Sequence, residues 1–296
     1  MNLFSGLEKF GIKPEEKELD IYENLNKKEL KQTVVKVKES KQRESIDETE
    51  FLYDKTIKCA VCEKSFAVKI VKNGRLKRMQ PDFDLRPRFE NIDTLKYDIY
   101  SCPHCGYSAM PKYFDHLTPG QISLVKTQIT DNFIATGKKE PDKFTYDEVI
   151  SRYKLSLYCS VVKRSSISEK AYTCLKLAWV CKAKSEEMII ETEADKATLE
   201  ELQKTFEEFY KEAYEGLQKA VANESYPICG MDMFTMDYLL AAMACHFHEY
   251  TVASKLISNI LMSKTADRRM KNKALDLKEV ILEAMRSKIG QSVKTP

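Results

Sequence analysis

The chain has 296 residues, 43% hydrophobic and 31% charged, a length that corresponds to about two domains and a composition that can bury a sizeable core. A net charge of +3 does not by itself call for nucleic acid or an acidic membrane as partner. Nine cysteines is an odd number, Met1 to Phe10 lacks the apolar core of a signal peptide, and runs such as Leu239 to Cys245 are too short to span a bilayer. Those features speak against secretion and membrane insertion and for a reducing cytoplasm; Asn2 excludes myristoylation.

Residues 1–50 carry ten basic and twelve acidic side chains, broken only by short apolar groups. Leu3, Phe4 and Leu7 have the spacing of a short helical turn that could dock on the body of the protein, on a partner or on a membrane, with docking on the body expected. Lys27 to Glu50 reads as a solvated helix or a linker.

The stretch from Tyr53 to Phe114 organises the rest. It opens with Cys59-Ala60-Val61-Cys62 and closes with Cys102-Pro103-His104-Cys105. Each Cys-X-X-Cys makes a tight turn whose backbone amides point at the sulfurs, and two such turns supply four thiolates, a full tetrahedral set for one Zn2+. With four protein ligands no position is left open, so the expected role is structural and not catalytic. Gly106 stands where such a turn needs positive φ, while Glu63 holds that place in the first pair, a poorer match. The 39 residues between Cys62 and Cys102 exceed the usual gap of about 15–20 and read as an insertion in a zinc ribbon.

Thr56 to Lys58 is expected to be a strand, as are Phe66, Val68 and Ile70 with their polar neighbours. Asn73-Gly74 signals a hairpin turn, with Arg75 to Met79 as the return strand. Tyr97 to Tyr100 should form a short strand before the second pair. Pro81-Asp82-Phe83-Asp84-Leu85-Arg86-Pro87 excludes a regular element. Asp82, Asp84 and Arg86 alternate there, either as a ligand or cation site or as carboxylates that pair with Arg86, Arg88 or loop amides to hold the insertion together.

Thr118-Pro119-Gly120-Gln121 is a helix start, with Thr as cap, Pro at the first helical position and Gln closing a capping box. Ile122, Val125, Ile129 and Phe133 mark its buried stripe, and only helices are expected from there on. A weak repeat runs through them: Ala171, Leu175 and Ala178 recur as Ala213, Leu217 and Ala220, and more loosely as Ala253, Ile257 and Ile260. That pattern fits the second helix of a tetratricopeptide-like hairpin. The middle copy lacks a matching first helix, because Leu199, Leu202, Phe206 and Phe209 are spaced as one long amphipathic helix. A last helix is expected over about Lys271 to Ile289. Cys245 and His248 share a helical face and with Cys229 are candidates for a second metal site; Cys174 and Cys181 read as core. No Walker loop, GxSxG, GxGxxG or HExxH occurs.

Phe51 to Lys55, Asp82 to Pro87, Tyr97-Asp98 and Cys102 to Tyr107, together with Leu3 to Leu7 and Ala178-Trp179, resemble a bacterial family catalogued as domain of unknown function 2225. In that family the first pair usually reads Cys-Pro-X-Cys; here Ala60 replaces the proline and leaves the thiolates intact. The resemblance implies a bacterial cytoplasmic protein with a zinc-ribbon-like front and a tetratricopeptide-like tail, and implies no reaction.

The expected fold is therefore α+β: a helical or flexible segment over 1–50, a small β zinc-ribbon-like module over 51–117, and an all-α tetratricopeptide-like array over 118–296. The first functional expectation is a non-catalytic adaptor or scaffold that engages a partner protein through the helical tail. The second is nucleic-acid binding through Lys69, Lys72, Arg75, Lys77, Arg78, Arg86 and Arg88, set against only four excess positive charges over residues 51–120. The third is a metalloenzyme or ligand-binding protein that uses Asp82, Asp84 and Arg86.

Overall fold

A computed structural model describes residues 3–12, 21, 46–135 and 140–292, with side chains to 286. Most of the linker expected over Lys27 to Glu50 lies outside the described residues. The architecture is mixed: two small two-stranded sheets followed by a mostly helical C-terminal part.

Strands β1 (Leu52–Lys58) and β2 (Ser65–Val71) pair antiparallel in the register Leu52↔Val71 to Lys58↔Ser65. The first Cys-X-X-Cys is the turn between them. Phe66 and Val68 point inward as the alternation requires, and Phe66 packs on Phe114 with ring centroids 6.0 Å apart. The return strand expected at Arg75 to Met79 does not form. Asn73–Arg75 is a short 3-10 turn, and Arg78 makes one isolated bridge with Phe89. The Asn-Gly signal fails because β2 has already found β1 across the cysteine turn, and Gly74 is not in the left-handed region that the tight hairpin turn needs. The expected strand at Tyr97 shifts too: Thr94–Tyr97 is a 3-10 turn capped by Asp93, and β3 is only Tyr100–Ser101, paired with β4 (Ser108–Ala109) across the second cysteine turn.

The helices follow their caps. After the short α1 (Pro111–Phe114), α2 (Pro119–Gln128) begins at Thr118, where both halves of the capping box with Gln121 are made. Val125 and Ile129 are fully buried; Phe133 lies beyond the helix end. The remaining helices are α3 (Tyr146–Val162), α4 (Ile167–Glu187), α5 (Glu193–Asn223), α6 (Met233–His246), α7 (Tyr250–Met262) and α8 (Arg268–Ser292). Thr145 with Glu148 and Thr192 with Asp195 repeat the capping box at α3 and α5.

The α4–α5 interface is the most extensive between helices. Ala171, Leu175 and Ala178 on α4 and Ala213, Leu217 and Ala220 on α5 are inaccessible, and small side chains let the two backbones approach closely. Ala253 is inaccessible as well, on α7 against α6. Where a middle hairpin would stand there is one helix of 31 residues, about 46 Å long, because the Leu199 to Phe209 stripe continues without a break into Ala213.

The N-terminal segment docks on this body. Phe4 and Leu7 are buried, Phe4 meets Tyr158 edge-on at 5.5 Å, and Lys154 donates to the Ser5 carbonyl at 3.0 Å. Its regular part is a 3-10 turn at Glu8–Phe10. One hydrophobic cluster runs from Phe4 through the cysteine turns to Ile281.

Candidate metal centre and the latch on helix α4

The two cysteine turns have the same backbone. In the first, the Cys59 amide donates to the Lys64 carbonyl and the Glu63 amide to the Cys59 carbonyl, both at 3.0 Å. In the second, the Cys102 amide donates to the Tyr107 carbonyl at 2.9 Å and the Gly106 amide to the Cys102 carbonyl at 3.0 Å. The residue closing each turn is left-handed, with φ +62° at Glu63 and +76° at Gly106. Glu63 thus takes the conformation for which glycine is better suited.

These turns bring the four sulfurs within 4.8 Å of one another. Cys59 and Cys105 approach to 3.6 Å, and so do Cys62 and Cys102. A tetrahedral centre with metal–sulfur bonds of about 2.3 Å requires sulfur–sulfur edges of about 3.8 Å, so the donor set fits a metal ion in size as well as number. Among themselves the thiols ionise unequally. Hydrogen bonds from Cys102 and Cys105 draw Cys59 down. Hydrogen bonding with Cys102 and Cys59, then burial, pushes Cys105 up. Cys102 goes up as well, despite the bond with Cys105, because of its bond with Cys59 and its burial. Cys59, Cys62, Cys102 and Cys105 would hold a dication there, and its charge would stabilise all four thiolates.

The surroundings of the two turns differ. Glu63 and Lys64 face solvent, and Cys62 is half-buried. The second turn is sunk in the helical body. The Phe133 ring lies so close over Gly106 that a Cβ there would sit 2.4 Å from Cδ2. Thr130 donates to the Cys105 carbonyl at 3.2 Å, and the Ser108 amide points at the Cys159 sulfur on α3 at 3.3 Å. Tyr107 is fully buried, with its hydroxyl on the Phe114 carbonyl at 3.3 Å. His104 is exposed, as its place inside the turn implies.

The Asp82–Arg86 motif lies against α4. Arg86 is 1% exposed, and its guanidinium is fully engaged: Nε on Asp82 at 2.9 Å, one Nη on the Trp179 carbonyl at 3.2 Å, the other on Glu186. Arg88 pairs with Asp82 at 2.9 Å and with Glu186 at 2.8 Å. Asp84, also buried, accepts from the Trp179 indole at 2.7 Å and faces the buried Tyr210 hydroxyl of α5. Burial works against an ionised Asp82, but the Arg88 hydrogen bond and the charges of Arg86 and Lys182 outweigh it and hold the carboxyl below its usual range. Carboxylates and guanidinium therefore face one another and the helices, as a latch between the insertion and the body. Asp98 adds a further tie, to Lys176 of α4 at 2.7 Å.

Trp179, Glu186 and Tyr210 complete the latch, yet they stand about a hundred residues from the motif, and no spacing rule connects them to it. In the sequence Trp179 stands out only as the neighbour of Ala178, in the repeat and in the family resemblance. The other candidates are not brought together. Among the described residues, the only group of three or more metal-ligating side chains is Cys59, Cys62, Cys102 and Cys105. His246 pairs with Glu207 at 3.0 Å and His248 with the Tyr250 hydroxyl at 2.9 Å. Cys229 donates to the Ser168 carbonyl at 3.3 Å, and Cys174 and Cys181 are core.

A four-thiol centre at the edge of a helical body, joined to it by a buried ionic latch, defines the class of molecule. The chain belongs to the family described as "Uncharacterized protein conserved in bacteria (DUF2225)", whose profile matches residues 52–281. No curated protein matches the chain, and no solved structure does. No helix among the described residues is long and apolar enough to cross a membrane.

Proposed function

We propose that this chain is a non-catalytic bacterial adaptor, in which a Zn2+-stapled module is clasped to a helical, tetratricopeptide-like body that engages a partner protein. Zinc is the ion because four soft thiolates in a tetrahedral set select it over hard cations. Cys59, Cys62, Cys102 and Cys105 would hold it, and its contribution there is structural. None of the nine cysteines is joined in a disulfide, which supports a reducing cytoplasm.

The observation that carries the adaptor reading is the latch. Asp82, Asp84 and Arg86, the groups best placed to act on a small ligand, are spent on α4 and α5. The helical outer surface is then what the molecule offers. Hairpins α3–α4 and α6–α7, with Ala171 and Ala253 inaccessible on their second helices, support a tetratricopeptide-like stack in which α5 replaces a middle hairpin.

Nucleic-acid binding is the second reading, and ion pairing weighs against it. Lys69 meets Asp54 at 2.8 Å, Arg75 meets Glu50 at 3.7 Å, Lys77 meets Glu90 at 2.8 Å, and Arg86 and Arg88 belong to the latch. The two readings separate in salt. A duplex held through four phosphates gives a log–log slope of affinity against salt of about −3.6, flattened by replacing Arg75, Lys77 and Arg78 with Ala. The adaptor predicts no such complex, and a partner whose binding survives the triple change. A salt-steep DNA or RNA complex abolished by that change would overturn it.

A further inference from the structure

The insertion is a loop closed at its base by the metal centre and pinned near its middle by the latch. Its base residues are Cys62 and Cys102, and Asp84 and Arg86 lie between them. Beyond the latch the chain is anchored repeatedly: Leu95 accepts from Tyr153 of α3 at 3.0 Å, and Asp98 holds Lys176. Before the latch, residues 73–80 run largely exposed, held by the exposed Arg75–Glu50 and Lys77–Glu90 pairs, the half-buried Leu76 and the Arg78–Phe89 bridge. Along the chain, then, the latch and the metal are two closures that tie the first cysteine turn to the body, beside the burial of Val61 and the packing of Phe66 on Phe114. When two closures share a loop, making one shortens the segment left for the other and lowers its entropic cost.

We propose that metal occupancy and the Asp84–Arg86 latch are thermodynamically coupled, so that metal at the four cysteines sets how firmly the insertion is seated on α4 and α5. This rests on the metal reading above and extends it: metal loading would tune the helical body that engages the partner. Coupling of this kind is reciprocal, so the latch must raise metal affinity by the same factor that metal tightens the latch.

The molecule carries its own reporter. Trp179 is the only tryptophan of the chain, is 3% exposed and gives its indole hydrogen to Asp84. The full-length reduced protein, stripped of metal and titrated with Co2+ and then Zn2+, tests the proposal. Tetrahedral cobalt–thiolate bands should rise together with a blue shift of Trp179 emission and a slowing of amide exchange in α4 and α5. Arg86→Met should weaken Zn2+ affinity on the order of tenfold against a competing chelator, although Arg86 is not a ligand. Trp179→Phe, which removes the indole hydrogen bond together with part of the buried ring, should weaken it a few-fold, and serves if Arg86→Met does not fold.

Cobalt–thiolate bands with unmoved Trp179 emission, and wild-type affinity in Trp179→Phe, would overturn the coupling and leave the metal centre standing. Absence of the bands would overturn both.

Discussion

The two cysteine turns are alike in backbone and unlike in setting. Each closes through the same pair of hydrogen bonds and the same left-handed residue. The first ends a hairpin whose middle, Tyr53 to Thr56, is exposed; the second lies under Phe133, Thr130 and Cys159. The second turn is therefore covered by the helical body on several sides, while the first is anchored through Cys59, Val61 and Phe66 and leaves Cys62, Glu63 and Lys64 toward solvent, so a metal would matter more to the first. Identical local chemistry can thus carry very different shares of a fold's stability, according to what packs around it.

The largest expected effect comes from removing a ligand. A structural zinc site in a small peptide is worth roughly 10–16 kcal/mol at neutral pH, so Cys102→Ser should lose the metal altogether. The two turns should then part company in hydrogen exchange: amides of β1 and β2 become labile, while those of Tyr107 and Ser108 stay protected. Equal loss at both would break the comparison.

Next is the latch. Arg86→Ala takes the buried guanidinium from Asp82, Glu186 and the Trp179 carbonyl and leaves Arg88 to hold both carboxylates, and breaking a buried ion pair costs up to about 3–5 kcal/mol. Chemical denaturation measures it. The exposed Lys77–Glu90 pair in the same insertion is the control, and Lys77→Ala should change little. The latch should also fail in acid. Asp82 is held below its usual range in the fold, so its contribution is complete above the ordinary aspartate pKa and is lost as pH falls through the lowered value. Trp179 emission should move to the red in that window and stay constant between pH 5 and 7, taken as roughly the range above the carboxylate titration.

Smaller effects sharpen the contrast at the left-handed residues. Gly106→Ala meets both a backbone penalty of about 1–2 kcal/mol and the Phe133 ring, where overpacking adds about 1–3 kcal/mol. Glu63→Gly should stabilise, by less than about 1 kcal/mol, since the strain it relieves is partly offset by a more flexible unfolded chain. Thermal melts of the two variants should move in opposite directions.

How much of this was legible follows from the range of the interactions. Four thiolates at two-residue spacing, the Thr118–Gln121 box and the alternation of Phe66 and Val68 are local signals, and the structure keeps them. The Asn73–Gly74 hairpin was equally local and is absent, because β2 had a better partner upstream. The pairing of Asp82 with Arg86 and Arg88 could be anticipated from their proximity. Their attachment to Trp179, Glu186 and Tyr210 could not, because only the packing of α4 against the insertion brings those residues near. The continuous α5 was readable from its Leu199 to Phe209 stripe, whereas the sinking of the second turn depends on Phe133, which belongs to the loop after α2.

The central claim is that one zinc ion joins the two turns. Sulfur coordination measured by X-ray absorption at the zinc edge, on protein isolated without added metal, tests it most directly. The account predicts one zinc per chain with four sulfur neighbours at about 2.3 Å. Zinc far below one per chain, or a first shell containing nitrogen or oxygen in place of one of the four sulfurs, would contradict it.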